Sequence, residues 1–325
     1  MSTVLSMPDE LPARRVALIG APTDLGASMR GASLGPDALR VAHLGEALTR
    51  LGHTVHDRGN LHGPPNPEAL AVAGHRHLNE CVAWNQAVFH AVAQALHRGE
   101  LPITLGGDHS LAIGAIGAVA AHCREQGKRL RVLWLDAHAD FNTSDITPSG
   151  NVHGMPVAVL CGHGAAELRR VAGGWGPGVH DGPPALSPDA FRLVGVRSVD
   201  PLERQFVHTQ GLDVFDMRFI DEYGMRDTMQ QALLGVDADT HLHVSFDVDF
   251  LDPDIAPGVG TPVRGGPTYR EAQLCMEMLA DTGCVGSVDV VELNPARDIQ
   301  NRSAECVVEM LESLFGKSTL MRPRT

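Results

Sequence analysis

Strand-like runs two to seven residues long, most of them apolar, recur through the chain, separated by segments whose apolar positions follow helical spacing. Val16–Ile19, Thr54–Asp57, Leu101–Leu105, Leu130–Leu135, Phe191–Val196, Val214–Phe215, His241–Phe246 and Val285–Val291 read as eight strands. Most are near-continuous rather than alternating runs, the pattern of strands buried on both faces of a parallel sheet. Helical spacing covers Asp37–Leu51, the segment from Ser110, Pro201–Gln210, Asp221–Leu234, Thr268–Asp281 and Arg302–Phe315, and the Ala-rich stretch Pro67–His97 reads as one helix or two. Alternation of this kind predicts an α/β fold with helices on both faces of one sheet. Residues 22–35, rich in Gly and small polar groups, read as a loop. The rhythm fails from Thr143 to Ala190, where Gly173-Gly174-Trp175-Gly176-Pro177-Gly178 and Pro183-Pro184 mark a long irregular connection. No linker or repeat interrupts the chain, so one domain is expected over 1–325, with residues 1–14 as a flexible N-terminus.

Composition narrows the function classes. The chain has 325 residues, 43% hydrophobic, with 26 basic and 39 acidic side chains and a formal net charge of −13. That balance speaks against nucleic acid as a partner and is compatible with a cationic small substrate. Six cysteines stand at 81, 123, 161, 275, 284 and 306, the closest pair nine apart, which excludes CxxC zinc or redox spacing. They read as buried, reduced thiols. Met1–Arg15 lacks a secretory apolar core, and no run approaches the roughly 18 apolar residues a membrane span requires. The expected location is the cytoplasm, with no membrane partner.

The chemistry lies where three strands end. Gly106-Gly107-Asp108-His109 follows Leu101–Leu105, Asp136-Ala137-His138-Ala139-Asp140 follows Leu130–Leu135, and Asp247-Val248-Asp249 follows His241–Phe246. In open α/β sheets, ligands bind beyond the carboxyl ends of the strands. If extended geometry persists past the strand, Asp136, His138 and Asp140 share one face, as do Asp247 and Asp249. Taken alone, each motif has an ordinary reading: a capped strand end for the first, an Asp252-Pro253-Asp254 turn beside the second, a helix-start histidine at 109. Together they bring carboxylates close enough to repel one another unless cations intervene. Carboxylate oxygens with one imidazole per ion form a fairly hard set that suits Mn²⁺. Two such ions about 3.5–4 Å apart bridge and acidify a water. His75, His77, His90 and His97, on a predicted helix, receive no functional role, and the strand residues His241 and His243 read as packing residues rather than ligands.

These motifs, with Val16-Ala17-Leu18-Ile19-Gly20-Ala21-Pro22, Ser245-Phe246-Asp247-Val248-Asp249 and Val291-Glu292-Leu293-Asn294-Pro295, resemble the ureohydrolases, the arginase–agmatinase family, over nearly the whole chain. The resemblance implies a three-layer αβα fold around an eight-stranded parallel sheet, two Mn²⁺ ions per subunit, and hydrolysis of a guanidinium group to urea through a metal-bridging hydroxide. It assigns one metal to His109, Asp136, Asp140 and Asp247 and the other to Asp136, His138, Asp247 and Asp249. Glu292 would pair with the guanidinium, His153 would shuttle the proton, and Asp140 would also orient the hydroxide. Asn142 and Ser149-Gly150-Asn151-Val152-His153-Gly154 look like arginase segments. Asn142, Ser149 and Asn151 would hold an α-carboxylate, Asp200 in Arg197–Glu203 the α-amino group, with Thr261 a further pocket residue. L-arginine is therefore the expected substrate. The alternatives are agmatine or another guanidino compound, and a non-catalytic metal-binding homologue. The tail around Glu312–Lys317 resembles bacterial arginases, which implies a homo-oligomer, trimer or hexamer. A Gly/Pro-rich insertion at 166–188 departs from the family pattern. With two divalent cations, four aspartates, hydroxide and Glu292, the formal site charge is about −2, which favours a guanidinium over a phosphate ester.

Overall fold

A computed structural model describes residues 12–175 and 182–319. Its sheet contains eight strands: β1 (Arg15–Gly20), β2 (Thr54–Asn60), β3 (Leu101–Leu105), β4 (Arg129–Leu135), β5 (Phe191–Val194), β6 (Asp213–Phe215), β7 (Thr240–Asp247) and β8 (Val285–Val291). All neighbouring pairs are parallel, in the order β2-β1-β3-β8-β7-β4-β5-β6. The four central strands β3, β8, β7 and β4 thus lie side by side, although their sequence order is scattered. Residues following each of them are delivered to one sheet edge.

Alternation along the strands divides the core in two. Leu133, Leu135, Leu242, Val244, Phe246, Val288 and Val290 face one layer, built from α1 (Gly35–Val41), α2 (Leu44–Arg50), α8 (Met217–Ala232), α9 (Tyr269–Asp281) and α10 (Arg302–Leu314). Val132 and Trp134 face the other, built from α3 (Leu78–His97), α4 (Ala112–Gln126), α5 (Pro156–Leu160), α6 (Ala166–Gly173) and α7 (Pro201–Gln210). The result is the expected αβα sandwich. No described helix is long and apolar enough to cross a membrane.

Several boundaries differ from expectation. The segment read as a helix from Asp37 to Leu51 is two helices, because His43 takes a left-handed φ of 62°. The five-residue step from Leu39 to Leu44, both fully buried, is out of helical phase, and the bend keeps both on the sheet. Only Leu78–His97 of the Ala-rich stretch is helical. Residues 67–77 instead pack over the loop after β4, with Arg76 N donating to Gly150 O at 2.7 Å, and His75 and His77 lie outside the helix. In the 143–190 connection, helices α5 and α6 replace the expected irregular loop. Leu168 and Ala172 of α6 bury against the α3–α4 layer, so much of the 166–188 insertion is built into the core. Residues 176–181 of it lie outside the described residues, as do 1–11 of the expected flexible N-terminus. Arg14, assigned to that terminus, is anchored: its guanidinium donates to Gly283 O at 3.0 Å and also to Val285 O.

One close approach joins the β3 end to the rest of the site. A Cβ on Gly107 would lie 1.6 Å from Thr23 O, so only glycine fits there. Gly107 O accepts from Glu292 N at 2.7 Å, and Asp108 N donates to Thr23 O at 3.0 Å.

Candidate metal centre

His109, Asp136, His138, Asp140, Asp247 and Asp249 all meet beyond the carboxyl ends of β3, β4 and β7. Nδ1 of His109 lies 3.0 Å from Asp136 Oδ2, 3.1 Å from Asp140 Oδ2 and 3.0 Å from Asp247 Oδ2. Nδ1 of His138 lies 3.3 Å from Asp136 Oδ1 and 3.2 Å from Asp249 Oδ2. Two ligand sets able to hold an ion result, His109–Asp136–Asp247 and Asp136–His138–Asp249, with Asp136 common to both.

The route to this convergence differs from the extended geometry expected for residues 136–140. β4 ends at Leu135, and the motif is a loop in which Asp140 adopts φ 49°. Glu292, after β8, has φ 63°. Left-handed backbone is unfavourable for both residues and must be held by its surroundings. Phe141 N donating to Glu203 Oε1 at 2.8 Å and Glu292 N donating to Gly107 O provide that hold.

Electrostatics make the case for a cation. His109, Asp136, Asp140, Asp247 and Asp249 are all buried. Burial and the Asp136 charge push the Asp140 carboxyl up to about 6, and burial together with Asp249 and Asp136 pushes Asp247 well above the carboxylate range. Asp136 is costly to bury too, but the imidazoles of His109 and His138 hold it well below its ordinary value. Most telling is His109 Nδ1. It is buried beside three carboxylate oxygens, yet meets the geometry of a hydrogen bond with none. A buried polar atom without a partner calls for an explanation, and an ion among these oxygens supplies one. The donor set therefore fits divalent cations.

Residues unrecognised in the sequence orient the ligands. Trp134 stacks on the His109 ring with centroids 4.0 Å apart and planes 6° from parallel, and its Nε1 donates to Asp136 Oδ2 at 2.9 Å. Behind His109 runs a buried chain. His109 Nε2 lies 2.9 Å from Ser245 Oγ, which donates to Asp289 Oδ1 at 2.7 Å. Asp289 Oδ2 lies 2.8 Å from His243 Nε2, His243 Nδ1 lies 2.8 Å from Ser287 Oγ, and Ser287 Oγ lies 2.9 Å from His241 Nε2. Parallel register puts His243 opposite Ser287 and Ser245 opposite Asp289, so these are cross-strand pairs. The signal was present in the sequence as polar residues at 241, 243, 245 and 247 alternating with Leu242, Val244 and Phe246. His241 and His243 are thus network members rather than simple packing residues.

The other expected site residues are distributed around this cluster. His153 Nδ1 lies 2.8 Å from Glu292 Oε1, which also accepts from His109 N at 2.9 Å. Burial lowers the His153 pKa, but the Glu292 carboxylate outweighs it and raises the group to about 9. Asn142 Nδ2 donates to Asp200 Oδ2 at 3.3 Å, Asn151 Oδ1 accepts from Ser28 Oγ at 2.9 Å, and Asn151 N donates to Ser149 Oγ at 3.2 Å. Asp200 is the N-cap of α7, where Glu203 Oε2 takes its N–H at 3.2 Å. Thr261, expected to line the pocket, directs its hydroxyl at Asp249 Oδ2 at 2.9 Å.

Comparison with known proteins gives a consistent answer. A family model described as the arginase family matches residues 14–316. The arginase of Bacillus subtilis is 40% identical over 308 residues, 94% of this chain and 99% of that protein. The arginase of Brucella melitensis is 43% identical over 309 residues, 94% of this chain and 97% of the relative. A solved structure of the Bacillus caldovelox arginase superposes with a TM-score of 0.87 at 38% identity, covering 94% of this chain and all of the other.

Proposed function

The chain belongs to the arginase family, and from that premise we propose that it hydrolyses L-arginine to L-ornithine and urea with two Mn²⁺ ions. The observation that carries this reading is the pair of imidazole–carboxylate sets sharing Asp136, with His109 Nδ1 buried among three carboxylate oxygens and in hydrogen-bond geometry with none of them, beside the Glu292–His153 pair. His109, Asp136, Asp140 and Asp247 would hold one ion, and Asp136, His138, Asp247 and Asp249 the other. The chemistry supplied by the bound ions is Lewis acidity that makes water a nucleophile near neutral pH.

The protein's own groups do the rest. Glu292, buried and ionised, presents a carboxylate to the planar guanidinium. His153, protonated at neutral pH through its contact with Glu292, holds the proton at Nδ1 or Nε2 that the departing amine requires. When Glu292 turns its charge to the substrate, the hold on that proton weakens. Asn142, Ser149 and Asn151 offer polar groups to an α-carboxylate and Asp200 a charge to an α-ammonium, while Asp140 orients a water proton. This polar set favours arginine over agmatine, which lacks the carboxylate. The same reading includes a single domain, a cytoplasmic location and a trimeric or hexameric assembly, the last open to sedimentation analysis.

A substrate panel assayed for urea with Mn²⁺ tests the reading. Arginine is expected to turn over far faster than agmatine. Equal or faster release from agmatine would overturn the substrate assignment, and no urea from any guanidino compound would overturn the activity.

A further inference from the structure

Arg197 lies just beyond β5, half-buried, with every donor on its guanidinium spent on main-chain carbonyls. Nε and Nη2 donate to Val263 O at 3.2 and 2.8 Å. Nη1 donates to Gly195 O at 3.2 Å and Phe250 O at 3.1 Å, and Nη2 to Asp249 O at 2.7 Å and Leu251 O at 3.3 Å. The main-chain N–H groups of Arg197 and Ser198 both donate to Ala137 O, at 2.8 and 3.0 Å. Among the described residues this side chain makes no ion pair.

The segments it joins have one thing in common. Ala137 lies between Asp136 and His138, and its N–H donates to Asp249 Oδ1 at 3.2 Å. Asp249 is itself a member of the His138 set. Val263 follows Thr261, whose hydroxyl holds Asp249 Oδ2. All three form the walls of the subsite made by Asp136, His138 and Asp249. None touches His109, whose ring is positioned by Trp134 and Ser245. The two sets share Asp136, and Asp249 N donates to Asp247 Oδ1 at 2.8 Å, but the His138 and Asp249 side chains have these supports of their own.

We propose that Arg197 is a positioning residue for the His138–Asp249 metal subsite alone, its guanidinium clamping the 249–251 and Val263 segments and its main-chain N–H the Ala137 segment, all through main-chain carbonyls. The proposal rests on the two-metal reading above. A planar guanidinium suits this task because its five N–H donors form a rigid fork, whereas an ammonium offers three donors from one point. Burial lowers its pKa from the ordinary arginine value, opposed by the field of the Asp249, Asp136, Asp252 and Asp247 carboxylates.

The test is Mn²⁺ affinity of each subsite, measured by calorimetry on folded, metal-free protein. His109→Ala leaves the His138 subsite to be read, and His138→Ala leaves the His109 subsite. Adding Arg197→Lys to each, which keeps the charge and removes the fork, is expected to weaken Mn²⁺ binding about tenfold or more in the His109→Ala background. In the His138→Ala background the change is expected to stay within about threefold, below that range for an orienting contact. Equal weakening in both backgrounds, or none in either, would overturn the proposal. If Arg197→Lys does not fold, Asp252→Ala decides the matter. Asp252 Oδ2 accepts from Gly265 N at 2.8 Å and Gly266 N at 3.0 Å and so holds the Val263 loop from its other end. A loss confined to the His138 subsite supports the proposal, and an even loss or no loss rejects it. Absence of Mn²⁺ uptake by the unmutated protein would reject the two-metal reading itself, a result distinct from either.

Discussion

His153 and Glu292, 139 positions apart in sequence, meet at 2.8 Å between Nδ1 and Oε1 beside the metal ligands, with Glu292 buried and His153 half-buried. The carboxylate raises the imidazole to about 9, above the ordinary 6.5. The sign follows directly: the stabilisation from the charged pair is complete below pH 6.5 and is lost as pH rises through about 9. In metal-free protein, an NMR titration of His153 is expected to show a midpoint near 9, moving back to 6.5 or lower in Glu292→Gln. A wild-type midpoint at or below 6.5 would contradict the pairing.

Asp136 serves both ligand sets and Asp249 only one. Asp136→Ala is expected to abolish urea release and to reduce tightly bound Mn²⁺ to one ion per subunit or none, as measured by elemental analysis. Asp249→Ala should retain an ion at the His109 set. Chelation of the wild-type protein should stop urea release, and added Mn²⁺ should restore it.

Asp289 accepts at both oxygens, from Ser245 and from the His243 ring, with no exposure to solvent. Asparagine would set an NH₂ against one of those donors. Asp289→Asn should therefore cost about 1–3 kcal/mol of stability, read from the denaturant midpoint, and should weaken Mn²⁺ binding through Ser245 and His109. A variant as stable as wild type would show that the chain runs with a different proton arrangement.

Asn151 Oδ1 is occupied by the Ser28 hydroxyl, which leaves the Nδ2 donors for an acceptor such as a carboxylate. Asn151→Ala is expected to raise KM for arginine about tenfold, the loss of one charge-assisted hydrogen bond, with kcat nearly unchanged and KM for agmatine unaffected. Equal effects on both substrates would remove Asn151 from carboxylate recognition.

Gly107→Ala would force a Cβ into Thr23 O. The Thr23 loop and Glu292 both bond to the residues around Gly107, so neither can retreat freely. A loss of at least about 3 kcal/mol is expected, visible as a lowered Tm or failure to express as folded protein. A normally stable variant would show that the loop yields.

The helix layers on both faces, the eight strands, the edge of the sheet that carries the chemistry, and the six acidic and imidazole side chains gathered there were all legible along the chain. Those features are local, because strand ends and motif spacing are read along the chain and parallel topology sends every strand end to the same side. How the six converge, and how Glu292 joins them, depends on the fold in three dimensions, since Asp140 and Glu292 take left-handed backbone that distant partners hold in place. That fold alone revealed the polar column behind His109. Alternation in β7 is visible in sequence, but Ser287 and Asp289 become its partners only through the register of β7 with β8. The role of Arg197 was illegible for the same reason. Main-chain carbonyls carry no side-chain signature, so a residue that binds only them leaves no pattern in the sequence.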